Sequence, residues 1–423
     1  MHWFTVAFLV ALTAQVAVRL WLARRQVVHV KAHRNRVPPG FAARVTVDEH
    51  ARAADYTAVR QRVGMLETVA DAVILLGLTL GGGIAGAGRV TAAAAGSSLV
   101  AGTLQVLGVL ALLALLALPF DIFRTFVVEQ RFGFNRSRPA VFAADRVKAW
   151  ALGLVIGGPA VAGVLWIMAG AGRAWWLIAS GGWILFSLLV TWAWPRWIAP
   201  IFNTFTPLQD PELRARIDAL VARCGFRAKS VLVMDGSRRS SHGNAYFTGL
   251  GRAKRIVFFD TLLETLSPAQ VESVLAHELA HFRLRHVPQR LAFGAVMSLA
   301  GFALLGWLGR QHWFYSALGV SERGDAAALL LFLLVIPVFT WPVAPILAGW
   351  SRRHEYQADA FAARYSDARA LSEALVRMYR DNASTLTPDP VYAAFNDSHP
   401  TPAARVARLA SLPAPGSAAV NTR

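Results

Sequence analysis

Two histidines stand four residues apart in the segment His277-Glu278-Leu279-Ala280-His281. On a helix this spacing turns both imidazoles to one face, where they can bind a single Zn²⁺ ion. Glu278 lies beside them, close enough to take a proton from a water molecule that the metal activates and to deliver it to a leaving amine. The motif therefore predicts metal-assisted peptide hydrolysis. A surface helix that carries two histidines by chance is the alternative.

A catalytic zinc ion needs a third protein ligand and keeps one position open. We predict Glu355 for this ligand, because it begins a helical EYQADAFAARY stretch directly after a hydrophobic run, far enough from His281 for two membrane crossings. Asp359 lies one helical turn later, where it can accept the second ring N–H of a zinc-bound histidine. A solvated acidic face is the alternative for these two carboxylates. His286 and His354 are not predicted as ligands, since helical geometry turns both away from the site.

A possible substrate-binding strand precedes the zinc helix. The segment 240–247 can offer a strand edge, along which a substrate peptide pairs by main-chain hydrogen bonds. We expect Asn244, Ala245 and Tyr246 to bind substrate there. An ordinary buried strand is the alternative.

A second group of polar residues follows the Glu355 helix. His399 opens a His-Pro-Thr-Pro segment and is predicted to stabilise the oxyanion of the tetrahedral intermediate. Arg405, in the next helix, is predicted to contact the substrate. A histidine that merely marks the entry to a helix is the alternative for His399.

The composition indicates a membrane protein. The 423 residues are 55% hydrophobic, and their mean hydropathy is +0.42. A helix needs about 20 apolar residues to cross roughly 30 Å of hydrocarbon. We predict seven such transmembrane helices, near residues 3–22, 66–88, 98–120, 149–170, 174–195, 291–309 and 326–348.

The basic residues predict the orientation in the membrane. Arg and Lys concentrate in the loop after the first run and in the loop after the third. The positive-inside rule places these loops, the segment 196–290 and the C-terminal end in the cytoplasm. The net charge of +18 can also indicate nucleic-acid binding, but the charges follow the loops on one predicted side. Anionic lipid headgroups explain this more simply, so we expect membrane lipids and no nucleic acid as partners.

The chain is predicted to be mainly α-helical, with a small β-sheet in its soluble part. We expect strands at 230–234, 244–248 and 255–259, and a helix over 207–224 with Asp210 as its N-cap. Ser267 and Pro268 are expected to open the zinc helix. The lone cysteine, Cys224, excludes an intramolecular disulfide and a zinc site built from cysteines.

These elements divide the chain into five parts. The predicted order is an N-terminal membrane domain with five transmembrane helices over 1–195, a cytoplasmic metalloprotease segment over 196–290, transmembrane helices six and seven over 291–348, C-terminal catalytic helices over 349–412 and a disordered tail over 413–423.

Six sequence blocks resemble one known family in the order in which they occur. They are FVVEQRFGFN (126–135), IAPIFNTFTPL (198–208), SSHGNAYFTGL (240–250), HELAHFRLRH (277–286), RRHEYQADAFA (352–362) and SHPTPAARVARL (398–409). With them the chain resembles the type 1 CaaX prenyl proteases, which are polytopic gluzincin zinc metallopeptidases of the endoplasmic reticulum with many bacterial relatives. The Ala- and Arg-rich composition is typical of GC-rich bacterial genomes, so we expect a bacterial member in the inner membrane.

The resemblance implies the roles of the site residues. His277, His281 and Glu355 would be the ligands of one Zn²⁺ ion, Glu278 the general base and Asp359 a partner of a ligand. It also implies seven helices around a large chamber, with the zinc site on its cytoplasmic side.

The resemblance further implies a substrate class, namely a C-terminal CaaX peptide that is cut after its prenylated cysteine. Ala280, Gly243, His354 and Tyr356 depart from the family's usual residues and bear on substrate preference. Because bacteria are not expected to hold prenylated CaaX proteins, a misfolded membrane protein or another peptide stays open as substrate.

Three other functions compete with this prediction. A quality-control protease of the HtpX kind shares the zinc motif but is shorter, with fewer spans. An intramembrane site-2-type protease would have its zinc helix inside a hydrophobic run, whereas charged residues flank the motif here. A transporter with a structural zinc would use isolated intramembrane charges such as Asp71. We expect the protein to be a monomer.

Overall fold

The computed structural model describes residues 2–226, 230–248 and 255–412, and within them the chain forms eighteen α-helices and one four-stranded sheet. The predicted disordered tail, residues 413–423, lies outside the described residues. The predicted mainly α-helical class with a small sheet is confirmed.

The first eight helices form most of the membrane part. They are α1 (Trp3–Ala32), α2 (Val47–Leu78), α3 (Gly83–Ala94), α4 (Ser98–Phe123), α5 (Pro139–Leu152), α6 (Gly158–Gly170), α7 (Trp175–Ala193) and α8 (Ala199–Phe202). Short π-helical turns extend α4, join α5 to α6 and join α7 to α8. The chain therefore runs as continuous helices over Ser98–Glu129, Pro139–Gly170 and Gly172–Phe202.

Six helices in the described residues are long and apolar enough to cross a membrane, and a bent pair makes a seventh span. The pair is α2 with α3, which meet at an angle of 53°. The predicted second span, 66–88, is therefore broken rather than straight. The break lies at consecutive glycines, and Gly82 has a φ of +79°, a conformation that side chains with a Cβ rarely adopt.

Four of the candidate spans in the described residues bury little of their surface, whereas the apolar window of Asp325–Tyr365 is 44% buried. The apolar windows of Ser98–Glu129 and Pro139–Gly170 are each only 11% buried. A helix in a solidly packed bundle buries a broad stripe, so these helices have exposed faces on more than one side. This is consistent with a bundle that faces lipid outside and encloses a chamber inside.

The soluble part between the fifth and sixth spans holds the sheet. Its elements are β1 (Phe205–Pro207), α9 (Pro211–Arg223), β2 (Ser230–Met234), β3 (Ala245–Thr248), β4 (Arg255–Phe259), α10 (Asp260–Thr265) and α11 (Pro268–Arg283). The strand order is β1-β2-β4-β3, with β2 parallel to β4 and the other pairs antiparallel. The three predicted strands are confirmed, while β1 was not predicted because it has only three residues and ends in proline.

The local signals at helix ends are also confirmed. The Asp210 carboxylate accepts hydrogen bonds from the first turn of α9. Ser267 and Gln270 form a capping box at the start of α11, with Pro268 at its first position. Fully buried side chains of α11, such as Leu275 and Leu279, hold this helix in the core beneath the sheet.

The remaining helices return through the membrane and complete the soluble part. They are α12 (His286–Leu308), α13 (His312–Ser316), α14 (Asp325–Thr340), α15 (Ala344–Tyr365), α16 (Ala368–Asp381), α17 (Pro390–Asn396) and α18 (Pro402–Ala410). Together α14 and α15 span 41 residues, or about 60 Å, which is roughly twice the hydrocarbon thickness. The end of α15 therefore extends beyond the membrane and packs against α11.

Candidate metal centre

Three ligand atoms converge where α11 and α15 cross. His277 and His281 of α11 and Glu355 of α15 each offer one atom, and these atoms all lie within 4.8 Å of one another. His277 Nε2 lies 3.3 Å from one carboxylate oxygen of Glu355, and His281 Nε2 lies 3.5 Å from the other. The structure thus brings together the three residues that were predicted to bind metal.

The donor set fits a divalent cation. Glu355 is only 3% exposed, and its Oε2 atom makes no hydrogen bond to any residue that the structure describes. A buried carboxylate oxygen without a donor is costly, and a cation between the two imidazoles would satisfy it. Two histidine nitrogens and one carboxylate oxygen are also the ligand set of hydrolytic zinc sites that keep a position open.

Asp359 and Arg405 lie behind the first histidine. Asp359 is fully buried, and its Oδ1 atom lies 2.9 Å from Nδ1 of His277, on the side of the ring away from Glu355. Arg405 is buried too and donates from Nε to Asp359 Oδ2 at 2.9 Å. The Arg405 guanidinium is thus engaged inside the protein, where it holds the carboxylate that contacts His277, and its contact with substrate stays a prediction.

The two histidines differ in their electrostatic surroundings. Burial lowers the pKa of His277, but the adjacent carboxylates of Asp359 and Glu355 outweigh burial and raise that pKa to about 9. Burial and the neighbouring His277 lower the pKa of His281 to about 3. The carboxylates of Asp359 and Glu355 thus favour a positive charge at His277. A metal ion can supply this charge in place of a proton on the imidazole.

His286 contacts the site, although helical geometry predicted that it would point away. That geometry assumed a continuous helix, whereas α11 ends at Arg283 and Arg285 has a φ of +61°. The reversal turns His286 back, so that its Nδ1 atom lies 3.0 Å from Nδ1 of His281. His354 is buried as well and stacks on His286.

Glu278 follows His277 on α11 and is half-buried. Burial raises the pKa of its carboxyl group, and the nearby Glu355 adds to the rise, while His277 and Arg405 oppose it. A carboxylate with a raised pKa next to the ligands is suited to accept and return a proton.

His399 reaches the same centre from the loop before α18. Its Nε2 atom lies 3.6 Å from Glu355 Oε2, and its side chain is 63% exposed. The hydroxyl group of Ser398 lies 3.1 Å from the other ring nitrogen. The exposed imidazole is thus placed at the open side of the centre, where a substrate would enter.

The end of the predicted substrate-binding segment, 240–247, lies in the edge strand β3, and Asn244 directly precedes this strand. In the sheet order β3 pairs with β4, so its other side is an edge. The ring of Phe247 lies 4.5 Å from that of Phe282, which holds β3 against α11. Asn244 is exposed at the start of this strand, and its side-chain oxygen accepts from the N–H of Ala245, while Tyr246 is partly buried.

Comparisons with known proteins agree with this geometry. A family model described as CAAX prenyl protease N-terminal, five membrane helices, matches residues 26–204, and a model of peptidase family M48 matches residues 207–412. CAAX prenyl protease 1 of Saccharomyces cerevisiae is 34% identical to the chain over 309 residues, covering 69% of this chain and 68% of the relative. A homolog from Arabidopsis thaliana is 34% identical, with 67% of each chain covered.

The chain belongs to peptidase family M48. A crystal structure of Ste24p from S. mikatae superposes on this M48 protein with a TM-score of 0.89 and 27% identity, covering 97% of this chain and 99% of that one. The protein is therefore an integral, multi-pass membrane metalloendopeptidase that acts on peptide or protein substrates. A transporter with a structural zinc does not fit these findings.

Two contacts of the M48 centre were not predicted from the sequence. Gln357 touches His286, and although it lies in the block 352–362 it was given no role, because a glutamine in a helix is ordinarily a surface residue. Ser398 supports His399 and precedes it directly, so the Ser-His-Pro segment was the available signal.

Proposed function

We propose that this M48 peptidase is a zinc endopeptidase whose metal is held by His277, His281 and Glu355. The observation that carries the proposal is the convergence of these three ligand atoms within 4.8 Å, directly beside Glu278. The predicted division of the chain at residues 195, 290, 348 and 412 belongs to the same proposal, since it assigns the ligands to two soluble parts separated by two spans.

The residues around the ligands divide the chemistry among them. When bound, Zn²⁺ polarises a peptide carbonyl and makes water more acidic. Glu278 accepts a proton from the attacking water and passes it to the leaving amine. His399 donates a hydrogen bond to the oxyanion that forms, and the edge of β3, with Asn244, Ala245 and Tyr246, aligns the main chain of the substrate.

We further propose that the substrate is a C-terminal CaaX peptide with a prenylated cysteine. The relatives from S. cerevisiae and A. thaliana carry the name CAAX prenyl protease 1, which supports this substrate class. The apolar surface that the membrane helices leave exposed would suit a lipid chain, because such a chain needs an apolar path to a site outside the hydrocarbon. We propose a monomer in a bacterial inner membrane, with the centre on the cytoplasmic side and no nucleic-acid partner.

The mechanism is tested with a matched pair of variants on α11. Glu278→Gln removes the proton acceptor, and we expect cleavage of a reporter peptide to fall at least about 100-fold while one zinc per chain is retained. Glu272→Gln makes the same substitution at another glutamate of α11, which pairs with Arg223 away from the ligands. This control should leave cleavage unchanged. Undiminished cleavage by Glu278→Gln or by metal-free protein would exclude the proposed mechanism.

The substrate class is tested with one peptide in two forms, prenylated and unprenylated, on the purified protein in detergent. A CaaX peptidase should cleave the prenylated form at least about 10-fold more efficiently, as kcat/KM, and after the modified cysteine. Equal cleavage of both forms, at scattered positions, would instead indicate general proteolysis of the quality-control kind.

A further inference from the structure

His281 is held by a second histidine rather than by a carboxylate. His281 Nδ1 lies 3.0 Å from Nδ1 of His286, and His286 Nε2 lies 3.0 Å from Oε1 of Gln357. His286 is only 1% exposed, so its ring nitrogens depend on these two partners. The three side chains form a line that ends at the centre.

The chemistry of the centre determines the direction of these hydrogen bonds. The amide oxygen of Gln357 can only accept, so His286 Nε2 carries a hydrogen and its Nδ1 atom accepts in the neutral ring. His281 Nδ1 must then donate, which leaves a lone pair on His281 Nε2, the atom next to Glu355. The reverse direction, or a protonated His286, would place the hydrogen on His281 Nε2 and remove the lone pair that a metal needs.

Helix α15 also fixes the plane of the His286 ring. The ring of His354 stacks on it with centroids 4.0 Å apart and planes 6° from parallel. Trp350 in turn packs against His354, with the two ring centroids 4.9 Å apart. His354 thus serves as an aromatic surface, and the same helix supplies a ligand, the Asp359 contact and the Gln357 contact.

We propose that Gln357 is a positioning residue that acts through His286 to select the metal-binding tautomer of His281. The inference rests on the proposed function, because it assumes that His281 is a metal ligand. The two histidines would then be supported in different ways. His277 contacts the charged carboxylate of Asp359, whereas His281 contacts the neutral ring of His286, which Gln357 holds in turn. Partners of ligating histidines commonly change metal affinity by about 10- to 100-fold, so the effect is measurable.

The test compares zinc affinities of purified, metal-stripped proteins in detergent by competition with a chromogenic chelator. Q357M keeps the length of the side chain but removes the acceptor, and we expect its zinc dissociation constant to rise about 10-fold or more. Q357E restores an acceptor oxygen and should stay within about threefold of the unchanged protein. Q289L, at the exposed Gln289 near the start of α12, is the matched control and should not alter affinity.

Cobalt absorption supplies a second readout that a merely structural role would not move. The Co²⁺-loaded Q357M protein should lose intensity in its visible bands as His281 leaves the metal, while the unfolding temperature of its metal-free form stays that of the control. Equal zinc affinity and equal spectra for Q357M and Q289L would overturn the inference. The inference would also be overturned if Q357E bound zinc as weakly as Q357M does. If the unchanged protein itself binds no zinc, the proposed function fails and not only this inference.

Discussion

The Oδ1 atom of Asp359 lies 2.9 Å from Nδ1 of His277, while the other ring nitrogen, Nε2, lies 3.3 Å from Glu355. One imidazole is therefore held on both sides by carboxylates of a single helix. A carboxylate on Nδ1 fixes the tautomer and makes the opposite nitrogen a better ligand. Because Asp359 is itself held by Arg405, the position of His277 on α11 depends on two residues, one from α15 and one from α18.

Removing the charge of Asp359 should weaken metal binding. We expect Asp359→Asn to raise the zinc dissociation constant about 10- to 100-fold, measured by chelator competition. The buried Arg405 would lose the charge of its nearest anionic partner, and breaking a buried ion pair costs about 3–5 kcal/mol, so the metal-free protein should also unfold at a lower temperature. Asp218→Asn, at an exposed pair with Arg214, is the control. Unchanged affinity in Asp359→Asn would show that the carboxylate does not support the ligand.

Truncating His399 should affect the chemical step rather than binding. The loss of one donor to a developing oxyanion typically lowers kcat about 10²- to 10³-fold, so we expect such a fall for His399→Ala with KM nearly constant. Zinc content should stay at one per chain, as in the control His312→Ala, which changes an exposed histidine of α13. A His399→Ala protein that loses its metal would identify His399 as a ligand instead.

Leu279 separates the stability of the zinc helix from its chemistry. It lies inside the motif but is fully buried on the opposite side, in the core with the sheet. We expect Leu279→Ala to cost about 2–5 kcal/mol through lost burial and a cavity. Thermal unfolding should report the loss, whereas kcat per bound zinc should change little at low temperature. A large fall in kcat per bound zinc, with unfolding unchanged, would contradict this.

Asp397 should make stability depend on pH. Burial raises the pKa of its carboxyl group to about 6, above the ordinary value of 3.8, although Arg352 opposes the rise. The folded state thus binds the proton more tightly than the unfolded state, so this contribution is complete below pH 3.8 and is lost as pH rises through 6. Because the carboxyl group is partly exposed, we expect its charged form to lower the free energy of unfolding by only about 1 kcal/mol at pH 8.

Asp397→Asn removes this cost. We expect the variant to unfold at a temperature roughly 1–3 °C higher than the unchanged protein at pH 8, and to show a smaller or no gain at pH 5. Thermal unfolding of the two proteins at both pH values is the measurement. An equal gain at both pH values would mean that the carboxyl group does not titrate differently on folding.

Much of the centre follows from local patterns. The spacing of His277 and His281 places both on one helical face whatever the rest of the chain does, because the helix repeats every 3.6 residues. The seven apolar runs and the caps at Asp210 and Ser267 are likewise local, since length and hydrogen-bonding groups near a helix end suffice to predict them. Glu355 and Asp359 were predicted from helical spacing together with their position after a span.

Three features were decided only by tertiary structure. Arg405 pairs with Asp359 because α18 packs behind the ligands, whereas the sequence predicted only a contact of Arg405 with the substrate. His286 contacts His281 because the chain reverses at Arg285. This residue has a left-handed backbone conformation although it is not a glycine, so the sequence did not predict the reversal. Gln357 meets His286 only where α15 crosses the end of α11. Such contacts join residues that are far apart in the chain, so they depend on how the helices cross. The periodicity of each single helix does not predict these crossings.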